Sequence, residues 1–397
     1  MIVDKFSIQD FKSIESAELD LGNVNVFIGA NGSGKSNLLE ALGVLAAAAF
    51  GHVDNESLLR RGCRPGGYFR PLLKESRTDG LTVLDAQAKS TGYQVTLSSP
   101  ELGRRPSGWE FKQEVWKSGK KKLHDRASTN GSKGDPQSGR AALLLANISP
   151  KTAAARFLKT LAAYSIYSPD TSMLRGWTPD PQTREPVGLS GGRLAEAVDE
   201  LMASKDGGVK LHEEMHAAVE WFEGFGVMKI KAENDPMPAK HGLAFIDRFF
   251  RVDKLPGTDK THQYFLSSSE VNEGILYWLF LGVLCLHPEA PALFAIDNGD
   301  HGLNPLSAKR LIQAVCGWLL KSKRPRQMLM TTQNPLVLDG LPLQDDRVRL
   351  FTVDRDNRGA TNVRRFLVTD QQKEMAAKGW TLSRMWVNKL IGGVPNV

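Results

Sequence analysis

Cysteine is scarce in this chain. Only Cys63, Cys285 and Cys316 occur among 397 residues, and none belongs to a C-x-x-C pair. An odd, widely spaced set excludes the disulfide framework of a small secreted domain and a four-cysteine zinc cluster. Long hydrophobic runs are missing too, because the apolar stretch Ala41–Phe50 is about half the length that a membrane-spanning helix needs. These absences predict a protein of the reducing cytoplasm with no membrane segment.

Repeats and long amphipathic arms are also lacking. No internal repeat is visible, and no heptad run is long enough for a coiled-coil arm. No H-N-H string or acidic cluster typical of a toprim nuclease centre occurs, so a nuclease site within this chain is not expected. What remains is a globular composition, because 41% of the residues are hydrophobic and the length suffices for one large or two ordinary domains.

Positive charge is concentrated in one segment. Residues 101–140 carry ten Lys and Arg against five acids, which accounts for +5 of the net charge of +7. The same segment contains Trp109, Phe111 and Trp116 and ends in the Gly- and Ser-rich stretch 128–139. It predicts either a basic hairpin that contacts nucleic-acid phosphates or a solvated hairpin with a flexible tip.

A phosphate-binding loop lies near the start of the chain. Gly29–Ser36 reads G-A-N-G-S-G-K-S and fits the pattern G-x-x-x-x-G-K-[ST]. Asn25–Ile28 predicts a buried strand entering the loop, and the apolar residues after Asn37 predict a helix leaving it. Glycines let backbone N–H groups turn toward phosphates, Lys35 adds a positive charge, and Ser36 offers its hydroxyl to Mg²⁺. The predicted nucleotide-binding residues here are Asn31, Gly32, Ser33, Gly34, Lys35, Ser36 and Asn37.

Three further segments predict partners for this loop. Leu293–Asp297 is an apolar strand that ends in a carboxylate, which suits a second contact to Mg²⁺ beside Ser36. The strand Gln327–Met330 leads into Thr331–Pro335, where a switch residue could respond to the γ-phosphate. Leu266–Gly274 opens an apolar helix, and a helix N-terminus with small residues attracts anions.

The remaining pattern predicts an α/β protein. Alternating apolar residues predict strands near the start of the chain, and helical spacing dominates the middle. Strands return from Lys229, and the pattern then settles into alternating strands and helices up to Val368. The predicted strands are Ile2–Phe11, Ser16–Leu21 and Thr82–Ser98, and the predicted helices are Lys151–Ala163, Gly192–Ala203 and Val209–Phe225.

Taken in order, these motifs resemble the ABC-related ATPases of the RecF, SMC and overcoming-lysogenization type, which include stand-alone ATPases of bacterial anti-phage modules. The opening is similar almost residue for residue, from F-K-S-I at Phe11–Ile14 to V-F-I-G-A-N-G-S-G-K-S-N-L-L-E-A-L at Val26–Leu42. Asp297–Pro305 aligns with the family's D-E-P-E-x-x-L-H-P segment, and Met330–Asp339 with its T-T-H-S-P switch. Asn272–Gly274 stands at the S-[DE]-G signature. The middle of the chain matches loosely.

The resemblance implies a P-loop ATPase head that binds ATP and Mg²⁺ and dimerises head to tail. Asn272, Glu273 and Gly274 of each copy would then cap the nucleotide held by the other copy's loop, and Ser36 with Asp297 would hold the metal. The expected division is an N-lobe at 1–100, a basic hairpin at 101–140, a helical insertion at 141–228 and a C-lobe at 229–397.

Three positions depart from the family pattern. Asn298 replaces the Glu that polarises the attacking water, Gln333 replaces the switch His, and Asn272 replaces the signature Ser. An amide orients water but accepts no proton, so the sequence predicts good ATP binding with slow hydrolysis. Asp300 or His301 could serve as a substitute base, and the departures could also be neutral within an active subfamily.

Two further motifs favour structural interpretations. His212–His216 matches the zinc pattern H-E-x-x-H, but no third ligand follows at the expected spacing, which favours an amphipathic helix. Leu189–Arg193 resembles the L-S-G-G-Q signature but lies far upstream of Asp297, which favours a loop before a helix.

Three functions remain open at this point. The first is a sensor or regulatory ATPase of an anti-phage module that works with a separate nuclease or toxin effector. The second is a DNA-repair or chromosome-maintenance ATPase that clamps duplex DNA, with residues 101–140 as its support. The third is a scaffold that binds ATP and never hydrolyses it.

Overall fold

The computed structural model describes residues 2–64, 81–98, 109–127, 141, 149–204, 206–230, 240–250, 252–254, 261–300 and 302–393. The chain divides into two compact units. The first unit comprises Met1–Tyr167, Pro291–Gly299 and Leu319–Val397, and the second comprises Ser168–Ala290 and Asp300–Trp318. The first boundary falls inside the segment 141–228, and the four-part division expected from the sequence remains a prediction.

Runs of consecutive strands are separated by helices along the described parts of the chain. The strands are β1 (Lys5–Phe11), β2 (Ile14–Asp20), β3 (Val24–Gly29), β4 (Leu81–Ala88), β5 (Thr91–Ser98), β6 (Glu110–Ser118), β7 (Lys121–Ala127), β8 (Ile166–Tyr167), β9 (Phe222–Ile230), β10 (Lys240–Asp247), β11 (Val252–Lys254), β12 (Thr261–Gln263), β13 (Leu266–Ser267), β14 (Leu293–Ile296), β15 (Gln327–Thr332), β16 (Val348–Arg355) and β17 (Thr361–Phe366). The helices are α1 (Lys35–Phe50), α2 (Asn55–Leu59), α3 (Ala153–Ala162), α4 (Thr171–Leu174), α5 (Leu194–Ala203), α6 (Gly207–Ala218), α7 (Glu273–Leu286), α8 (Pro305–Leu320), α9 (Asp370–Ala377) and α10 (Leu382–Val387).

A mostly parallel sheet of the first unit determines where the site lies. Its strand order is β17-β16-β3-β15-β14-β8, and only the β16–β17 pairing is antiparallel. Every residue of β3, β14 and β15 is buried, as expected for strands covered on both faces. Because these three strands are parallel neighbours, their carboxyl ends meet at one edge of the sheet.

An antiparallel sheet forms the other layer of this unit. Its order is β2-β1-β4-β5-β6-β7, and β4 alternates buried and partly exposed residues in the manner of a strand with one face in the core. Helix α1 contributes side chains to a hydrophobic core that includes residues of both sheets, such as Phe6 and Leu329. Burial against both layers explains why α1 is apolar around most of its circumference.

One expectation about the middle of the chain was wrong. The predicted helix Val209–Phe225 ends at Ala218, and β9 begins at Phe222 and pairs with β10. Gly224 and Gly226 disfavour a helix, and the paired strand satisfies their backbone groups instead.

The aromatic residues of the basic segment do not face solvent. Trp109, Phe111 and Trp116 are each less than 5% exposed and pack in the core of the first unit. Stacking on nucleic-acid bases is therefore closed to them. Residues 101–108 and 128–140 lie outside the described residues. No helix in the part of the chain that the structure describes has the length and apolar character needed to cross a bilayer.

A buried carboxylate ties α1 to the turn between β1 and β2. Glu40 is 2% exposed, pairs with Lys12 and accepts a hydrogen bond from Arg64 Nε at 2.6 Å. Burial alone raises the pKa of Glu40, but the hydrogen bonds and charges of Arg64 and Lys12 outweigh it and hold that pKa below its ordinary value. The charged form therefore stabilises the fold.

We expect Glu40→Gln to lower the free energy of unfolding by about 2–4 kcal/mol at pH 7, because it leaves the Lys12 ammonium without its carboxylate. The matched control is Glu56→Gln, which removes an exposed pair with Arg60 and should cost less than about 1 kcal/mol. Urea denaturation checks both.

The same experiment has a pH dependence of known sign. Because the native pKa of Glu40 is lowered, the stabilisation is fully present above its ordinary value of 4.5 and is lost as pH falls through the native value. Equal unfolding midpoints for wild type and Glu40→Gln at pH 7 would contradict this account.

Candidate nucleotide-binding site

The loop between β3 and α1 has the backbone that a phosphate cradle needs. Gly32 and Gly34 have φ angles of 74° and 105°, in the left-handed region that favours glycine. Lys35 is 6% exposed, and its Nζ donates to the carbonyl oxygens of Gly29 and Ala30 at 2.8 Å each. Asn31 and Ser33 complete the turn, and Ser36 and Asn37 lie in the first turn of α1.

A strand from the far end of the sequence braces this loop. A Cβ added to Gly34 would lie 2.1 Å from Thr361 Oγ1. That hydroxyl donates to the Ser33 carbonyl at 2.9 Å and lies 2.7 Å from Ser13 Oγ, which accepts from Asn37 Nδ2 at 2.8 Å. Because the Ser33 carbonyl is turned toward Thr361, the loop conformation is fixed before a ligand arrives.

The metal-holding pair predicted from the sequence comes together. Ser36 Oγ donates to Asp297 Oδ1 at 3.0 Å. Asp297 follows β14, and no donor among the described residues reaches its Oδ2. A hydroxyl beside a carboxylate with one open oxygen fits Mg²⁺, which prefers oxygen ligands and retains several waters. Ser36 and Asp297 would hold the ion, which would neutralise charge on the nucleotide's phosphates.

Two of the candidate hydrolytic residues, Asn298 and Gln333, lie beside this pair. Asn298 has a φ of 53°, and its side-chain Oδ1 is 3.5 Å from Gln333 Nε2. Two amide side chains thus face each other at the positions for which the sequence predicts a hydrolytic role. Asp300 lies in the second unit, where its carbonyl accepts from Leu303 N at 3.3 Å. His301 is outside the described residues.

The predicted signature residues begin a helix of the second unit. Asn272 caps α7, and its Oδ1 accepts from Ile275 N at 3.2 Å. Glu273 Oε2 accepts from Thr171 Oγ1 at 2.7 Å, so this carboxylate is held within its own unit. Gly274 follows in the first turn. The preceding loop is held by Arg175, whose guanidinium donates to the carbonyl oxygens of Ser268, Ser269 and Val271.

The two other motifs have structural explanations. The Asp180 carboxylate accepts from the backbone N–H groups of Ser190 and Gly192, so the signature-like loop before α5 already holds an anionic group. His212 and His216 lie on α6, with ring centroids 6.1 Å apart. No cluster of three metal-ligating side chains occurs among the residues that the structure describes.

Three hydroxyl residues of the site were not singled out from the sequence. Ser13, Thr331 and Thr361 lie 24 to 348 positions from the side chains they contact, and the motifs that contain Ser13 and Thr331 assign neither of them these contacts. The double threonine at Thr331 and Thr332 was identified only as the start of the switch segment that follows a strand. Two consecutive threonines that end an otherwise apolar strand are the sequence feature that could have indicated the role of Thr331, because the strand is buried throughout.

A phosphate loop after a buried parallel strand, with a carboxylate at the end of a neighbouring strand, defines the class of P-loop NTPases. Family comparison agrees with this class. Residues 24–339 match the family described as "AAA domain, putative AbiEii toxin, Type IV TA system", and the chain belongs to that family. The predicted resemblance to the RecF and SMC group and the predicted α/β P-loop fold are both confirmed.

Curated relatives match a limited part of the chain. The DNA replication and repair protein RecF of Renibacterium salmoninarum is 34% identical over 110 residues, which are 27% of this chain and 28% of that protein. RecF of Magnetococcus marinus is 41% identical over 71 residues, covering 18% and 19%. The chain thus matches under a third of the length of each relative.

A solved structure covers nearly all of the chain. An SMC head bound to the C-winged helix domain of ScpA gives a TM-score of 0.51 at 11% identity, covering 92% of this chain and 98% of that one. At this identity the likeness shows the fold alone.

We expect Gly34→Ala to weaken ATP binding about tenfold or more, because the new methyl group meets the buried Thr361 hydroxyl at a strained φ. The control is Gly119→Ala, a positive-φ glycine with nothing within 4 Å, which should lose about 1 kcal/mol of stability and no ATP affinity. Equilibrium binding of a fluorescent ATP analogue measures both. Wild-type affinity in Gly34→Ala would refute the bracing role of Thr361.

Proposed function

We propose that this chain binds ATP with Mg²⁺ in the cytoplasm and that bound ATP joins two copies head to tail. In this proposal the protein is the sensor or regulatory subunit of an anti-phage module, and a separate nuclease or toxin is the effector. Hydrolysis is slow, so the joined state is long-lived. The proposal depends on a single observation. Two candidate metal ligands, Ser36 and Asp297, lie in hydrogen-bonding contact beside the amide side chains of Asn298 and Gln333.

The binding side of the site supports strong retention of nucleotide. The loop glycines have the required backbone angles, Lys35 is positioned on the loop, and the Ser36 hydroxyl lies beside the Asp297 carboxylate. Backbone N–H groups at the start of α1 add a favourable dipole for phosphate. A site in which these groups are held in advance loses little conformational entropy when ATP binds.

Helix α7, which begins at the predicted signature residues and is called the signature helix below, supports a composite site between two copies. Asn272 is exposed at the N-terminus of α7, a helix of 14 residues whose dipole favours an anion. Its Oδ1 is used by the cap, and no acceptor among the described residues bonds its Nδ2. That amide suits a phosphate oxygen supplied by a second copy. Each copy then contributes one phosphate loop and one signature helix.

The hydrolytic side supports slow turnover. Neither Asn298 nor Gln333 can take a proton from water at neutral pH, because both side chains are amides. A general base contributes about 10²–10⁴-fold to a rate, so its loss leaves a slow but measurable reaction. Asp300 is the substitute base that the proposal retains as a hypothesis.

The family supports a role in defence. Its description refers to a toxin of a toxin–antitoxin system, and this chain matches over residues 24–339. The sequence shows no H-N-H string or toprim-like cluster, so the proposal assigns nucleic-acid cleavage to another polypeptide.

A DNA-clamping ATPase is the second candidate, favoured by one observation. Lys120, Lys121 and Lys122 are all exposed at the turn between β6 and β7. Because the nearby aromatic side chains are buried, these lysines would contact phosphates without reading bases. Binding of that kind weakens steeply with salt.

Native mass measurement tests the assembly. We expect the wild-type chain to double its mass with ATP·Mg²⁺ and to remain monomeric without nucleotide, whereas Lys35→Ala remains monomeric throughout because the phosphates lose their cation. Duplex DNA added at low and high salt, with Lys120–Lys122 replaced by Gln as control, tests the second candidate. A mass that does not respond to ATP would exclude the nucleotide-dependent dimer.

Substitutions at Asn298 test the slow step. We expect Asn298→Asp and Asn298→Glu to raise single-turnover ATP hydrolysis about tenfold or more by supplying a base, and Asn298→Gln to give no gain. Asp tolerates the left-handed φ of 53° better than Glu does, whereas the Glu side chain is longer. Comparing the two variants therefore separates the effect of backbone strain from the effect of side-chain length. No detectable ATP hydrolysis by the wild type, with a large gain in the Asn298→Asp and Asn298→Glu variants, would favour the scaffold hypothesis. Equal rates throughout would show that residue 298 does not limit turnover.

A further inference from the structure

One buried hydroxyl contacts both residues that follow β14. Thr331 Oγ1 donates to Asp297 Oδ1 at 2.5 Å and accepts from Asn298 N at 2.9 Å. The Thr331 carbonyl also accepts from Gly299 N at 3.3 Å. Thr331 is fully buried on β15, one position beyond the last register pair of β15 with β14, Met330 with Ile296. Its side chain and backbone together hold three consecutive residues.

The first effect of this hydroxyl is on the Asp297 carboxylate. Ser36 Oγ donates to the same oxygen, Oδ1, so two hydroxyl groups converge on one side of the carboxylate. The terminal torsion of an aspartate has a broad energy profile and needs outside contacts to fix it. With Oδ1 occupied twice, Oδ2 is directed away as the oxygen that no described donor uses.

The second effect is on Asn298. Its φ of 53° is tolerated by Asn but is less favourable than an ordinary helical or extended angle. The hydrogen bond from its N–H to Thr331 Oγ1 stabilises that angle. The direction of the Asn298 side chain is therefore set by the same hydroxyl that sets the carboxylate.

We propose that Thr331 is a positioning residue of the ATP site, which fixes the metal-facing oxygen of Asp297 and the backbone of Asn298 through a single hydroxyl. The proposal rests on the ATP·Mg²⁺ binding proposed above. It distinguishes Thr331 from a threonine that merely satisfies its own hydrogen bonds in a buried strand, because a structural role would not depend on magnesium.

The test measures ATP affinity with and without Mg²⁺ in three variants. Thr331→Val keeps the shape and removes the hydroxyl, Thr331→Ser keeps the hydroxyl, and Thr352→Val removes a buried strand hydroxyl of the same sheet that bonds only weakly, to the Arg364 carbonyl at 3.5 Å. We expect Thr331→Val to weaken the apparent Mg²⁺ affinity about tenfold, within the range for residues that orient metal ligands, while ATP affinity in EDTA is unchanged. Thr331→Ser should restore the wild-type value, and Thr352→Val should not alter it.

The outcomes separate this proposal from the function on which it rests. Wild-type Mg²⁺ dependence in Thr331→Val, or an equal loss of affinity with and without Mg²⁺, overturns the positioning role and leaves ATP binding intact. If the ATP affinity of the wild-type protein is the same with and without Mg²⁺, the proposed metal site itself is wrong. Thermal unfolding verifies that each variant folds, and Thr331→Ala replaces Thr331→Val if the valine variant does not.

Discussion

The parallel pairing of β3, β14 and β15 is the constraint on which the site depends. Because the three strands run the same way, the phosphate loop, Asp297 and Gln333 all follow strand ends at one edge of one sheet. Helix α1 is held against this sheet by burial of its apolar side chains between two sheets and by the ion pairs of Glu40 with Lys12 and Arg64. A shift of one residue in the register of β15 against β14 would separate Thr331 from Asp297, and the hydrogen bond that orients the Asp297 carboxylate would be lost.

Within that frame the two halves of the ATP reaction have separate physical requirements. Binding needs backbone N–H groups, one cation and oxygen ligands for Mg²⁺, and in the proposed function the phosphate loop, Lys35, Ser36 and Asp297 supply them. Hydrolysis needs a proton acceptor beside the metal, and the amides of Asn298 and Gln333 do not supply one. The proposed function, in which the ATP-bound state controls a separate effector, requires this combination of binding and slow hydrolysis.

Much of this site was predictable because it is encoded in contiguous motifs. The phosphate loop, the carboxylate at the end of the Asp297 strand and the helix that opens near Asn272 follow from local sequence patterns. The structure places Ser36 Oγ 3.0 Å from Asp297 Oδ1, the pair predicted to hold the metal. Thr361 and Thr331 were not predictable, because their roles arise from strand pairing between segments far apart in sequence. The end of α6 was missed because the three-residue spacing of Phe222 and Phe225 fits a helix face. In β9 that spacing is accommodated by a register shift between the two residues, which is visible only once the pairing with β10 is known.

The chemical state of the nucleotide in the assembled dimer tests the central claim most directly. Dimer formed with ATP·Mg²⁺ can be separated from free nucleotide, held at 25 °C, quenched with acid at intervals and analysed for ATP and ADP. The account predicts that the bound nucleotide remains mostly ATP over many minutes, and that a carboxylate at position 298 shortens this time. Conversion of bound ATP to ADP within about one second, the pace of an ordinary enzyme, would contradict it.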